Sequence, residues 1–323
     1  MSYALIADLG GTNARFALAP IHKNDLFEVK VYPCKDYLDL FSAVTEYLNQ
    51  SSVDFEQVSA VVFAIAGPVN QPVIRFTNNN WQFTHEDVEN FFGKEKKIAL
   101  INDYDALGHS LDALPKSELA AVGDSSKLDL NAPRWVIGPG TGLGVSCVVP
   151  QKEGANIILP GEGGHVDLSP CNDLEDDIVK FLRKKYQRVS AEHVLSGRGL
   201  ENLYEALALR EGVEKRITAP QIGKAVSSGD PIAVAALNQF FVFLGRVVGD
   251  LVLSVESRGG VYITGGIVPR YIEEIRKSDF RDAMQDKGPM KGLVSPIPTF
   301  VVMSEYPGLI GCACYASYLV SNT

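Results

Sequence analysis

The stretch Tyr3-Ala4-Leu5-Ile6-Ala7-Asp8-Leu9-Gly10-Gly11-Thr12-Asn13-Ala14-Arg15-Phe16-Ala17-Leu18-Ala19 holds two short apolar runs, 3–8 and 14–19, around Gly10-Gly11-Thr12-Asn13. Runs joined in this way predict a β-hairpin, and residues 27–32 can supply a third strand. Asp8 closes the first run, and two residues without Cβ follow it closely. Glycines let backbone approach an anion and turn N–H groups towards it. Thr12 adds a hydroxyl donor. Asp8 suits Mg²⁺, directly or through water, because that ion prefers carboxylates and waters beside phosphates. An ordinary tight hairpin with a capping acid is the plainer reading of the same residues.

Outward from the hairpin, residues 37–49 have helical apolar spacing, and Val58–Ala66 is a continuous apolar run typical of a buried strand. A further run, Ile98–Ile101, ends in Asn102-Asp103. Polar residues 113–133, with Pro115, Gly123 and Pro133, read as a linker. A second cycle then begins. Strand Trp135–Gly138 leads into Gly138-Pro139-Gly140-Thr141-Gly142-Leu143-Gly144 and a run over 145–149. Helix is expected from about 173, and again from Asp230-Pro231 to about Ser257, followed by a strand over 260–264 and a closing helix over Pro307–Leu319. The halves repeat strand, glycine turn, strand, which suggests two α/β domains with a cleft between them.

Four glycines within residues 138–144 cost conformational entropy and need a reason. They fit neither G-x-G-x-x-G nor G-x-x-x-x-G-K-[ST], so neither a dinucleotide fingerprint nor a P-loop is present. Thr264-Gly265-Gly266-Ile267-Val268-Pro269 follows a strand, where an adenine ring can lie against backbone; a bare strand-to-helix turn fits as well.

The chain has 323 residues, which suits two domains, and its net charge of −9 argues against a nucleic-acid partner. No apolar run reaches the ~18–20 residues of a membrane span. The N-terminus meets an acid after seven residues and lacks a signal-peptide pattern, so a cytoplasmic protein with no membrane partner is expected. Five cysteines, odd in number and irregular in spacing, read as reduced thiols. Cys312-x-Cys314 lacks the second pair that a metal site needs.

Taken in order, the Asp8–Asn13 hairpin, Ile101-Asn102-Asp103, the Gly138–Gly144 turn, Leu159-Pro160-Gly161-Glu162-Gly163-Gly164-His165 and Gly265-Gly266-Ile267-Val268-Pro269-Arg270 resemble the bacterial glucokinases over nearly the whole chain. The resemblance implies an α/β, two-domain actin-like ATPase (ribonuclease H-like) fold with a duplicated sheet-and-helix core and an interdomain cleft. A small domain would span 1–113 plus 303–323, and a large one 114–302. The implied reaction is ATP-dependent phosphorylation of D-glucose to glucose 6-phosphate with Mg²⁺, the first step of glycolysis; a kinase of mannose, fructose or N-acetylglucosamine is the alternative.

By the same resemblance Asp103 is the general base for the 6-hydroxyl. A carboxylate of near-normal pKa suffices for that role, because the proton leaves late in a loose transition state. Asp103 also fits the N-cap of a helix starting near Tyr104. Asn102, Asp103, Glu162, His165 and Glu192 form the implied sugar shell, although Glu192 also suits the first turn of a helix capped by Ser190. ATP would meet Ala7, Asp8, Leu9, Gly10, Gly11, Thr12, Gly140, Thr141, Gly142, Gly265 and Gly266, with Asp8 at the Mg²⁺. No Cys cluster follows His165, which favours the zinc-free group of these kinases. A homodimer is expected. His22, His85, His109 and His193 have no motif around them and read as structural or surface residues.

Overall fold

In the computed structural model, which describes residues 2–23, 25–76 and 79–322, the apolar runs at the N-terminus form β1 (Tyr3–Leu9), β2 (Asn13–Pro20) and β3 (Phe27–Pro33). There follow α1 (Leu40–Asn49), β4 (Val58–Ile65), β5 (Ile74–Arg75), β6 (Gln82–Phe83), α2 (His85–Phe92), β7 (Lys97–Asn102) and α3 (Asp103–Ser110). The middle of the chain forms β8 (Leu119–Ala121), β9 (Arg134–Pro139), β10 (Leu143–Val149), β11 (Ile157–Gly161), α4 (Asp173–Tyr186), α5 (Gly197–Arg210), α6 (Ala219–Ser227) and α7 (Pro231–Ser254). The last elements are β12 (Val261–Ile263), α8 (Ile272–Lys277), α9 (Phe280–Gln285), α10 (Lys291–Val294), β13 (Thr299–Val302) and α11 (Pro307–Ser321).

These elements divide between two compact units, one of residues 1–116, 151–158 and 304–323, the other of residues 117–150 and 159–303. In the first unit the sheet order is β3-β2-β1-β4-β7. The β1–β2 hairpin is antiparallel and sets Asp8 opposite Arg15, whereas β1, β4 and β7 run parallel. Strands covered on both faces must be apolar throughout, which is why β4 reads as an unbroken run. One face packs Phe16, Val44, Tyr47, Phe63 and Phe92 into a core. The other is covered by Leu309, Cys312 and Ala316 of α11, which meet Ala4, Ile6, Val62 and Ala106. Each such large side chain contributes roughly 1.5–3 kcal/mol relative to exposure. Helices α11 and α3 approach so closely that a Cβ on Gly311 would lie 1.7 Å from the Ala106 carbonyl oxygen.

The sheet of the second unit has the order β11-β10-β9-β12-β13-β8. It repeats the theme: β9 and β10 form an antiparallel hairpin, with β12 parallel to β9 and to β13. The stretch 113–133 is therefore more than a linker. Its residues Leu119–Ala121 form β8, which pairs antiparallel with β13 through Ala121 and Phe300. Asp230 caps α7 by accepting from the Ala233 N–H. The helix stops at Ser254 rather than near Ser257, because Val255 is already extended. Against the expectation of no membrane-length segment, α7 is long and apolar enough to pass such a test, yet 78% of its most apolar window is buried inside the unit. Phe240, Phe241, Phe243 and Leu244 are among its core residues. On the same helix Arg246 pairs with Glu175 of α4, Nε to Oε2 at 2.9 Å, and the Glu175 side chain is wholly shielded from solvent.

Candidate active site

In the first unit the parallel strand β7 delivers two candidate residues to its C-terminal end. Asn102 is the last strand residue and caps α3: its Oδ1 accepts from the Tyr104 N–H at 2.9 Å, and its Nδ2 donates to the Gly67 carbonyl at 3.1 Å. The cap is thus Asn102 and not Asp103, which is the first residue inside α3; the Tyr104 N–H also reaches Asp103 Oδ1 at 3.1 Å. Burial, reinforced by the negative charge of Asp8, pushes the Asp103 carboxyl up to about 7, although the Tyr104 N–H opposes the shift. An ordinary carboxylate was expected from sequence. Burial raises Asp8 as well, against the pull of Arg15, whose Nη1 donates to Asp8 Oδ2 at 3.1 Å.

The turn between β1 and β2 is held through its carbonyls. The Cys34 thiol donates to Gly10 O at 3.6 Å, Asn79 Nδ2 to Gly11 O at 3.3 Å, and the Cys34 N–H to Thr12 O at 2.9 Å. No acceptor among the described residues takes the N–H of Gly11 or Thr12. Gly11, Thr12, Lys35, Tyr37, Asn79 and Trp81 border a cavity of about 920 Å³.

In the second unit the Gly140 N–H closes the turn on Gly142 O at 2.8 Å, and Gly140 O accepts from the N–H of Gly197, the first residue of α5. Glu192 Oε2 accepts from the Leu143 N–H at 2.9 Å, just beyond this turn. Glu192 does lie in a short 3₁₀ turn, Ala191–His193, which Ser190 precedes. His193 is structural: its Nδ1 accepts from the Ser190 N–H, and its ring stacks on Tyr186 with centroids 4.1 Å apart.

Glu162 and His165 are mostly exposed, with Oε2 and Nε2 4.0 Å apart. Backbone bonds from Ala191 N to Val166 O and from Leu168 N to Val189 O tie their loop to the Glu192 turn. Gly265 has φ 85°, and a Cβ there would lie 2.4 Å from Pro139 O, so this glycine lets the two glycine turns of the unit touch. Gly266 borders a cavity of about 340 Å³ with Ala219, Lys224, Ile267 and Tyr271. Thr141 borders a second one of about 450 Å³ with Glu192, Gly197, Arg198 and Glu201.

The structure thus groups Asp8, the Gly10–Gly11 turn, Asn102 and Asp103 in one unit, and the Gly140–Gly142 and Gly265–Gly266 turns with Glu162, His165 and Glu192 in the other. Two contributors escaped sequence reasoning. Arg15 could have been found from the antiparallel register, which sets it opposite Asp8. Asn79 reaches Gly11 across 68 residues of chain, and no local pattern announces that bond. Among the described residues there is no cluster of three or more His, Cys, Asp or Glu fit to hold a metal by protein ligands alone. Asp8, with Asp103 close enough to sense its charge, suits a Mg²⁺ ion that keeps waters and substrate phosphates as its other ligands.

The chain as a whole is similar to known proteins. A family model described as Glucokinase matches residues 5–319. A glucokinase from Campylobacter jejuni subsp. doylei is 41% identical over 311 residues, covering 96% of this chain and 92% of that protein. One from Hahella chejuensis is 40% identical and covers 96% of both. The crystal structure of a glucokinase from an Antarctic psychrotroph superposes with a TM-score of 0.87 at 31% identity, over the whole of both chains. A ROK family glucokinase from Streptomyces griseus, solved with glucose and AMPPNP, shares the fold at 18% identity, covering 98% of this chain and 99% of that one, with a TM-score of 0.64. Full-length agreement of this kind, in sequence and in fold, means that the chain belongs to the glucokinase family.

Proposed function

We propose that the chain transfers the γ-phosphoryl group of ATP to the 6-hydroxyl of D-glucose, giving glucose 6-phosphate and ADP, the first step of glycolysis. The observation that carries the chemistry is Asp103, a carboxylate at a strand end whose proton affinity is raised to about 7. General bases work best with a pKa near the operating pH, and phosphoryl transfer otherwise asks mainly for positioning and charge stabilisation. Asp103 accepts the 6-hydroxyl proton as the O–P bond forms and the bond to ADP breaks. Asn102, Glu162, His165 and Glu192 orient the ring through its other hydroxyls.

Within the stretches 7–12 and 140–142, the N–H groups of Gly11, Thr12, Thr141 and Gly142 receive the phosphates, and residues 265–266 lie against the adenine. Asp8 would hold Mg²⁺, directly or through water, and the ion would neutralise charge on the transferring phosphoryl group. ATP as donor agrees with a cytoplasmic location, and we propose a homodimer as the working form.

Substrate choice is tested by kcat/KM for glucose, mannose, fructose and N-acetylglucosamine at fixed ATP. Glu162 and Glu192 only accept hydrogen bonds when ionised, so a sugar that lacks or displaces a donor leaves one unpaired. Glucose is expected to lead by about one to two decades. Parity of any other hexose with glucose would remove the substrate assignment and leave the kinase assignment standing.

The metal reading has its own test. EDTA is expected to stop turnover, and Mg²⁺ alone to restore it. Stoichiometric zinc in the purified protein, lost together with activity, would contradict the zinc-free assignment.

A further inference from the structure

We propose that Asn79, assisted by Cys34, is a positioning residue for phosphoryl transfer, because it holds the glycine hairpin by its carbonyl edge and so leaves the N–H edge for the nucleotide. The inference rests on the proposed role of residues 7–12 as the phosphate cradle. Three successive carbonyls of the turn, those of Gly10, Gly11 and Thr12, each accept a bond from outside it. The donors come from two segments, Cys34 just after β3 and Asn79 just before β6. The N–H groups of Gly11 and Thr12 have no acceptor among the described residues, and Thr12 is exposed.

A peptide unit can rotate so that its carbonyl and N–H exchange directions. A carbonyl turned towards an anion repels it, whereas an N–H attracts it. Fixing every carbonyl of the turn prevents that flip before the nucleotide arrives, and pre-oriented dipoles need no reorganisation when charge develops. Asn79 is itself fixed, since its Oδ1 accepts from the Trp81 N–H at 2.8 Å, and Trp81 in turn donates from Nε1 to Tyr37 O at 3.2 Å. The segment Asn79–Trp81 is therefore braced against the core, which holds Trp81 at 3% exposure.

Asn79→Asp separates these functions when read beside Asn79→Ala, which loses the donor without adding a charge near the phosphates. The carboxylate still accepts from the Trp81 N–H and keeps the loop in place, but it cannot donate to Gly11 O. We expect it to lower kcat/KM for ATP about tenfold, the scale of one lost bond that leaves a carbonyl unpaired. The glucose KM and the thermal midpoint should stay close to wild type. Titration of Mg-ADP by calorimetry should show a similar loss of affinity. Cys34→Ala should show a smaller loss of the same kind, and Cys34→Ser, which keeps a donor, should recover it.

Unchanged ADP affinity and ATP KM in both Asn79→Asp and Asn79→Ala would overturn the proposal. So would a glucose KM that rises in step with the ATP KM, the mark of general damage. Failure of the functional reading looks different: the wild type then forms no glucose 6-phosphate, and the ADP titration still decides whether the hairpin is held for a nucleotide.

Discussion

Asp103→Asn is expected to lower kcat by about 10²–10⁴ with little change in glucose affinity, because the amide keeps the shape of the side chain and loses the proton acceptor. The raised pKa makes the prediction sharper. In the wild type, kcat/KM for glucose should fall as pH drops below about 7, where Asp103 of the free enzyme takes up a proton and ceases to be a base. The variant should lose that inflection along with its rate. Stability should move the other way. A carboxyl whose folded-state pKa is raised contributes most below its unfolded value of roughly 3.9, and that contribution is lost as pH rises towards about 7. At pH 8 the ionised Asp103 is therefore a strained charge, and the neutral amide should unfold at the same temperature or higher. Turnover within a few-fold of wild type at pH 8 would remove Asp103 from the chemistry. A slow variant that also unfolds early would point to damage instead.

The second large effect concerns the core of the second unit. Arg246→Met should destabilise that unit by about 3–5 kcal/mol, the cost of stranding one member of a buried ion pair. Glu175 is fully shielded and would keep only its bonds from the Cys171 N–H and the Asn172 amide. Arg246 also reaches Asp286 at 3.2 Å, but Asp286 is mostly exposed and can be hydrated without it. Adding Glu175→Gln removes the stranded charge and should restore much of the loss. Denaturant midpoints of the wild type, single and double variants decide the matter. Equal midpoints for the single and double variants would mean that the buried charge is not what the arginine answers.

The hairpins were legible because their cause is local. Apolar runs of strand length on either side of Gly10–Asn13, and again around Gly138–Gly144, leave the chain little else to form, and β1–β2 and β9–β10 form there. Strand β8 was not legible: Leu119–Ala121 is three residues long within polar sequence, and only the open edge of β13 makes it a strand. Asp103 could be singled out because a carboxylate after an apolar strand is a strong local signal. Its neighbour's cap, its raised proton affinity and the hold of Asn79 on Gly11 all depend on groups distant in sequence. Glu192 shows both sides. Its place in a turn after Ser190 was readable, whereas its bond to Leu143 N spans 49 residues and no pattern records it.

The packing of α11 on the first unit has a consequence during synthesis. Residues that α11 covers, among them Ala4, Ile6, Val62 and Ala106, leave the ribosome long before Leu309 and Cys312 do. Some 200 residues separate Ala106 from Pro307, or about 10–40 s of translation at ~5–20 residues per second. Through that interval one face of the first sheet has no native cover, and the second unit, whose last residue is 303, is finished just before α11 is made, so the unit that begins first is completed last. The usual order of assembly on the ribosome is thus inverted. The nascent chain carries an adhesive sheet face that trigger-type chaperones are suited to shield, and slow codons between residues 116 and 304 would lengthen its exposure.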